Sequence, residues 1–415
     1  MSQRSVYINW GVSSFFGWGV YGLNLVLNWA LDPDLDPIGA RTIATADISV
    51  DALRGRVLGP FIQRSKAFHK QLEQFRDGQA SVQAPVIHGF DEGFNLGPVA
   101  HGVTLQGAPN LGATFFETTQ LAPDAVARAA AFPAIVAGSS WNAHILRAHG
   151  LQNVHTILQG IDPTLFHIAP RQGLLADRFL VFSGGKLERR KGQDIVLAAF
   201  KIFAERHPEA MLVTVWKNAW PQLNSAINDS GLTEPVPFDA EGHADLAGWA
   251  AANGLGPANF TDLGFVPNAQ MPTILREMDA AVFANRAEGG TNLVAMECMA
   301  CGVPTILSRN TGHLDLIEDD NCYPLTQQGA LAGREGGFED VEGWGESDIG
   351  EVVEALERIF THREEARRRG AAGAATLGRL TWAKTAAEMK GIVLETSAAA
   401  PAAGDRPMDG GAATT

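Results

Sequence analysis

The sequence predicts an α/β protein made of two successive parallel-sheet halves, and three observations carry that expectation. Short apolar runs such as Phe179–Ser183 and Met211–Trp216 alternate with helical patterns such as Gln193–His207, which is the pattern of parallel strands joined by crossover helices. The alternation occurs twice, on either side of the turn-rich stretch Gln159-Gly160-Ile161-Asp162-Pro163. A chain of 415 residues with 46% hydrophobic content is globular and too long for one typical domain.

In chain order, Val6–Trp10 reads as a buried strand, Gly11–Gly19 as a glycine-rich loop and Val20–Leu31 as a helix. Further strands are expected at Arg41–Ala46, Ala84–His88, Ile135–Ala137 and Val154–Leu158, with helices at Leu58–Phe75, at Pro123–Ala131 and after Ser140. The second half opens with strand Phe179–Ser183, loop Gly184–Gly192 and helix Gln193–His207. Strands Met211–Trp216, Phe260–Leu263, Ala280–Ala284 and Thr305–Leu307 follow, with helices near Ala244–Asn253, Asn268–Met278 and Leu293–Ala300. Asp348–Gly370 reads as one charged amphipathic helix and Thr381–Glu395 as a last one. The Ala/Gly/Pro/Thr-rich tail 397–415 has almost no large apolar residues and is expected to be disordered.

Composition removes several function classes. A net charge of −14 argues against a nucleic-acid-binding surface. Three cysteines fit a reducing, cytoplasmic setting without a disulfide framework, and Cys298-Met-Ala-Cys301 reads as buried free thiols inside a helix. The apolar stretch Trp10–Leu31 is interrupted by Ser13, Ser14, Asn24 and Asn28, so it reads as a strand, loop and helix, not a membrane span. Asp32-Pro-Asp34-Leu-Asp36 matches a metal-holding DxD only superficially and reads as a solvated loop.

Two segments point to an anion site. In Glu288-Gly-Gly-Thr-Asn-Leu-Val-Ala-Met-Glu297, two glycines precede a helix N-terminus, which favours a bound anion, and an acid stands on either side. In Phe182-Ser-Gly-Gly-Lys-Leu-Glu-Arg-Arg-Lys-Gly192, a strand runs into Gly184-Gly185 and then presents Lys186 and Lys191, point charges suited to phosphate. An anion flanked by polyols describes a nucleotide sugar. Gly17-Trp-Gly-Val-Tyr-Gly22 is a literal GxGxxG, with Asp47 at a tolerable distance for a ribose acid. This keeps an NAD-dependent dehydrogenase open as an alternative. His88 closes an apolar strand where ligands of open α/β sheets bind, and Glu117 is a second candidate for the cleft.

The run Glu288–Ile306 resembles the donor-site signature of the GT-B retaining glycosyltransferases of family 4, the glycosyl transferases group 1. The Lys186–Gly192 loop resembles that family's basic pyrophosphate element. The resemblance implies two Rossmann-like α/β/α domains facing a central cleft: an acceptor domain over 1–165, a donor domain over 166–378, and a C-terminal helix over 379–396 returning to the first domain. It implies metal-independent sugar transfer, without a cofactor, from a nucleotide-diphosphate sugar to a glycan, lipid-linked or small-molecule acceptor, as in polysaccharide biosynthesis. Weak peripheral membrane association is compatible with it.

In that reading Lys186, Lys191 and the N–H groups of Gly290, Thr291 and Asn292 meet the diphosphate. Glu297 binds ribose, Glu288 positions the donor sugar, and Phe265 and Val266 lie near the base. Gly17, Gly19, Gly185 and Gly289 are close-approach positions. His88 faces the sugar or acceptor, Glu117 stands on the acceptor side, and His313 stands near phosphate or sugar. The acids depart from the family spacing by one residue, so that the usual first-glutamate position holds Gly289. Either Glu288 serves from one residue earlier, with the two glycines absorbing the insertion, or the role is lost, leaving a non-catalytic nucleotide- or partner-binding protein. Other GT-B activities, epimerase or phosphorylase, also remain open.

Overall fold

The computed structural model describes residues 3–75, 78–100, 102–218, 220, 225–331 and 341–399. The first sheet contains β1 (Arg4–Asn9), β2 (Leu35–Gly39), β4 (Val86–Phe90), β6 (Asn110–Thr114), β7 (Ile135–Ala137) and β8 (Val154–Thr156), in the order β2-β1-β4-β6-β7-β8. Every pairing in it is parallel. A small parallel pair, β3 (Gly78–Ser81) with β5 (Val103–Gln106), stands beside it. The second sheet contains β9 (Phe179–Gly184), β10 (Ala210–Val215), β11 (Phe260–Asp262), β12 (Ala280–Phe283), β13 (Thr305–Ser308) and β14 (Tyr323–Leu325), in the order β11-β10-β9-β12-β13-β14, again all parallel. A hairpin-like pair, β15 (Gln328–Gly329) with β16 (Glu346–Ser347), completes the strands among the described residues.

Central β9 is buried along its whole length, as expected of a parallel strand covered on both faces. In the first half, α1 (Gly17–Trp29), α2 (Ala52–Leu72), α3 (Pro123–Ala130) and α4 (Ser140–Ala148) connect the strands. In the second, α5 (Gln193–Arg206), α6 (Leu246–Ala252), α7 (Met271–Leu275) and α8 (Leu293–Ala300) do so, and α9 (Ile349–Thr361) and α10 (Arg363–Leu377) follow the last strand. The last helix, α11 (Trp382–Ala399), packs back on α1: Trp29 Nε1 donates to the Ala386 carbonyl at 3.0 Å, and Lys390 reaches Asp32 and Asp34 at 2.7 and 2.6 Å.

Several expectations are corrected. Asp32 and Asp34 are not idle in a solvated loop, because they clamp α11. Asp36 lies inside β2, which occupies Leu35–Gly39 where a strand was expected at Arg41–Ala46. Asp and Pro discourage strand assignment, yet an edge strand paired on one side tolerates Pro37. β14, with Pro324, escaped for the same reason. α2 starts at Ala52 despite Gly55, Gly59 and Pro60, because the Asp51 carboxylate caps the N–H groups of Leu53 and Arg54. The expected single helix over Asp348–Gly370 is two, broken at His362. α11 runs to Ala399, past the expected start of the tail at 397; residues 400–415 lie outside the described residues. Among the described residues no helix is long and apolar enough to cross a membrane.

α10 crosses α8 closely, because a Cβ at Gly370 would stand 2.2 Å from the Gly302 carbonyl oxygen. We predict that Gly370→Leu destabilises the protein by about 1–3 kcal/mol or more in urea unfolding. Gly391→Ala, at a helical site with open space around it, should stabilise by about 0.5–1 kcal/mol.

Candidate active site

Ligands of open parallel sheets bind beyond the strand ends where the strand order reverses. In the second sheet that point lies between β9 and β12. The loop leaving β9 is Gly185–Gly192 and the loop leaving β12 is Ala284–Asn292, so topology alone brings the two anion-site segments together. Gly192 has φ +67°, and a Cβ on it would sit 2.0 Å from the Ala284 carbonyl oxygen. Only glycine lets the loops touch there. Gly185, at φ +116°, makes the turn out of β9.

Arg286 fastens the loops to each other. It is fully buried and grips Asp194, in the first turn of α5, through two bonds of 2.8 and 2.7 Å. Its Nε donates to Glu346 at 2.8 Å, its Nη1 to the Arg189 carbonyl at 2.7 Å, and its backbone N–H to the Arg190 carbonyl at 2.7 Å. Burial opposes the charge on Arg286, but Asp194 and Glu346 outweigh it and raise its pKa.

Glu288 is thereby aimed into the cation loop. Its Oε1 accepts from Asn285 Nδ2 at 2.6 Å and from Arg190 Nη1 at 3.3 Å, and it pairs closely with Lys191 Nζ. Its backbone is held as well: Thr311 Oγ1 accepts from the Glu288 N–H at 2.7 Å, and the Glu288 carbonyl accepts from Gly312 N–H at 3.0 Å. Burial would raise the Glu288 pKa, but Lys191 and Arg190 win and hold it at about 2. Burial also pulls the Lys191 pKa down, against Glu288. The Gly289 backbone cannot play this part. A Cβ there would point at Phe116 of the first half, 2.5 Å from its carbonyl oxygen, and Ser139 Oγ donates to the Gly289 carbonyl at 2.6 Å. The two glycines therefore serve the approach of the two halves.

Arg190 was not singled out from the sequence, where it reads as one more basic residue between Lys186 and Lys191. It stands among three carboxylates: Glu188 at 3.3 Å, Glu288 at 3.3 Å and, from the first half, Glu117 at 3.4 Å. Burial disfavours its charge, but Glu117 and the other two raise its pKa. Lys186 pairs with Glu188 at 3.3 Å and lies 5.4 Å over the ring of Trp220. The cluster thus matches three cations with three carboxylates. Phe265 and Trp220 are each about two-fifths exposed and meet Phe16 of the first half, forming an aromatic patch beside Lys186. Val266 is partly buried against the core.

α8 begins at this cluster. Asn292, at φ +61°, caps it, and among the described residues none accepts the N–H of Gly290 or Thr291. His313, expected near phosphate or sugar, is instead fully buried behind Asn292. Its Nδ1–H donates to the Ser308 carbonyl at 3.1 Å and its Nε2 accepts from Asn292 Nδ2 at 3.0 Å. Burial lowers its pKa to about 4, so it is a neutral prop. One turn further along α8, Glu297 is bonded to Asn268 Nδ2 and has no cation beside it among the described residues. Burial raises its pKa to about 8, Asn268 opposing. Cys298 and Cys301 are buried free thiols. Among the described residues no three His, Cys, Asp or Glu side chains are arranged to hold a metal ion.

Three expectations fail to converge here. His88 is 1% exposed inside the first sheet with both ring nitrogens engaged, on Asn9 and Asn110 at 2.9 Å each, and burial lowers its pKa to about 4. It is no free acid or base. Gly17 and Gly19 lie in the first turn of α1, not in a phosphate loop, and a Cβ on Gly19 would strike Ser13 at 2.0 Å. Gly19 and Gly22, the latter facing Trp10, are therefore helix-packing positions, and the GxGxxG lies inside α1 instead of bridging strand and helix as a dinucleotide fingerprint requires.

Residues 167–333 match the family model Glycosyl transferases group 1. The matched segment includes both loops of the cluster. Mannosylfructose-phosphate synthase of Agrobacterium fabrum is 27% identical over 190 residues, which are 40% of this chain and 36% of that protein. The chain thus spans about a third of that relative's length. Sucrose-phosphate synthase from Thermosynechococcus elongatus superposes with a TM-score of 0.64 at 16% identity, over 96% of this chain and 100% of the other. Anabaena HepE, solved with UDP and glucose, gives a TM-score of 0.61 at 14% identity, over 95% and 100%. At these identities the likeness establishes the fold, the two-domain GT-B arrangement.

Two stability measurements test this geometry. Arg286→Ala leaves Asp194 buried and unpaired and should cost about 3–5 kcal/mol in urea unfolding. The double change Arg286→Leu with Asp194→Leu should recover much of that loss. Glu297 is raised in the folded state above its ordinary 4.5 to about 8. Its contribution is therefore present below pH 4.5 and lost as pH rises through about 8. The Tm difference between Glu297→Gln and the unaltered protein should accordingly grow in the variant's favour across that window; a pH-independent difference would refute the shift.

Proposed function

We propose that the chain is a metal-independent retaining glycosyltransferase, working without a cofactor on a nucleotide-diphosphate sugar. The observation that carries this is the convergence of Lys186, Arg190, Lys191 and the N–H groups at the start of α8 on one crevice of a group 1 domain. Anabaena HepE is described with UDP and glucose, and the named relatives are sugar-phosphate synthases, which supports a nucleotide-sugar donor here. Residues 1–165 form the acceptor side, 166–378 the donor side, and 379–396 tie the two. A cytoplasmic setting fits three free thiols.

In this mechanism the donor diphosphate takes cations that the carboxylates now hold. Lys191 and the N–H groups of Gly290 and Thr291 stabilise the charge that develops as the anomeric C–O bond breaks. The acceptor oxygen bonds to the anomeric carbon on the face the diphosphate leaves, and the acceptor proton passes to a leaving phosphate oxygen. No side-chain nucleophile is needed. Glu288, ionised at about 2, accepts hydroxyls of the donor sugar and orients it. Glu297 accepts ribose hydroxyls, and Phe265 with Trp220 covers the base. The buried His88 has no part in the chemical step.

Calorimetric titration with a panel of nucleotide sugars, beginning with UDP-glucose, tests the donor site. Lys191→Ala should weaken donor binding by roughly tenfold or more, the scale of a hydrogen bond to a charged group, and Glu297→Ala, which removes a largely neutral carboxyl, by roughly three- to tenfold. Unchanged affinity in both variants would overturn the assignment. NAD should not bind.

A further inference from the structure

The first sheet has a reversal point of its own, between β1 and β4, whose last ladder partners are Asn9, the end of β1, and His88, two residues before the end of β4. The edge on which it opens faces the group 1 domain. The loop after β1 meets it where Asn268 N–H donates to the Ser14 carbonyl at 2.8 Å, and the loop after β7 meets it at Ser139 and Gly289. Arg41 lies on this edge, two residues beyond the end of β2.

A buried chain of hydrogen bonds orients Arg41. Asn110 Oδ1 accepts from the Gly107 N–H at 2.7 Å and therefore also accepts from His88 Nε2–H at 2.9 Å. Neutral His88 then has Nδ1 as an acceptor, which takes Asn9 Nδ2–H at 2.9 Å. That leaves Asn9 Oδ1 to accept from Arg41 Nε at 3.4 Å. The two outer nitrogens of the guanidinium fork remain, and Nη2 lies beside Gly97, where a Cβ would approach it to 3.1 Å. Arg54, Arg64 and Arg128 of the same half are each paired with an aspartate. Half-buried Arg41 has no carboxylate partner among the described residues. In a chain of net charge −14, a pre-oriented guanidinium without a carboxylate at a ligand crevice is suited to a planar or tetrahedral oxyanion.

We propose that Arg41 is an anion-binding residue of the acceptor site, and that the acceptor is a sugar carrying a phosphate or a carboxylate. The inference rests on the transferase reading. His88, Asn9 and Asn110 are positioning residues for Arg41.

The test uses the full chain with its donor, and glucose 6-phosphate, glucuronate and glucose as acceptor probes, read by calorimetric binding and by transfer. Binding of glucose 6-phosphate alone indicates a phosphate site, and of glucuronate alone a carboxylate site; either supports the inference. Arg41→Gln should then raise Kd and KM for the anionic sugar about tenfold or more. Arg41→Lys should fall in between, and donor affinity should not change. Glucose bound as tightly as the anionic sugars, no anionic probe bound, or an unchanged Kd in Arg41→Gln would each overturn the inference while leaving the transferase reading intact. Failure of the unaltered chain to bind any nucleotide sugar would strike at that reading instead.

Discussion

The site depends on the buried pair between Arg286 and Asp194. A fully buried arginine is tolerable only when every face of it is matched, and here one guanidinium takes Asp194, Glu346 and the Arg189 carbonyl while its backbone takes the Arg190 carbonyl. The consequence is geometric. The turn that carries Arg190 and Lys191 cannot move away from the loop that carries Glu288. The short contact across Gly192 fixes the same distance from the other side. Such a frame holds Arg190 and Lys191 close together against their mutual repulsion.

The carboxylates answer the next physical question, which is how three cations coexist in a largely desolvated crevice. Glu117, Glu188 and Glu288 neutralise Lys186, Arg190 and Lys191, and two of the three acids belong to the same half as the cations. Glu117 comes from the other half, so the charge cluster also joins the two sheets. Glu288 is buried where Glu117 is about a quarter exposed, which makes Glu117 the acid most easily displaced by an incoming anion. The second reversal point, in the first sheet, is furnished differently: a guanidinium bonded to no carboxylate among the described residues, amides and a neutral imidazole. The proposed division into a donor crevice and an acceptor crevice follows that contrast.

Much of this was legible in the chain itself. The alternation of strands and helices, the loops after β9 and β12 and the bounds of α8 are as expected, because long apolar periodicity and glycine-flanked loops are strong local signals. What local signals missed was set by tertiary context. β2 hides in Asp- and Pro-rich sequence because its neighbour is on one side only. Arg190 looks like any surface arginine until three carboxylates from distant positions surround it. His88 looked catalytic because a histidine at a strand end is well placed, but Asn9 and Asn110, remote in sequence, occupy both its nitrogens. Gly289 and Gly290, between Glu288 and Glu297, are where the first half presses in.

A crystal structure with a bound nucleoside diphosphate, beginning with UDP, tests the central claim most directly. The account predicts phosphate oxygens within hydrogen-bonding distance of Lys191 Nζ and of the N–H groups of Gly290 and Thr291, with Lys191 drawn away from Glu288. A diphosphate bound elsewhere, with Lys191 still resting on Glu288, would contradict it.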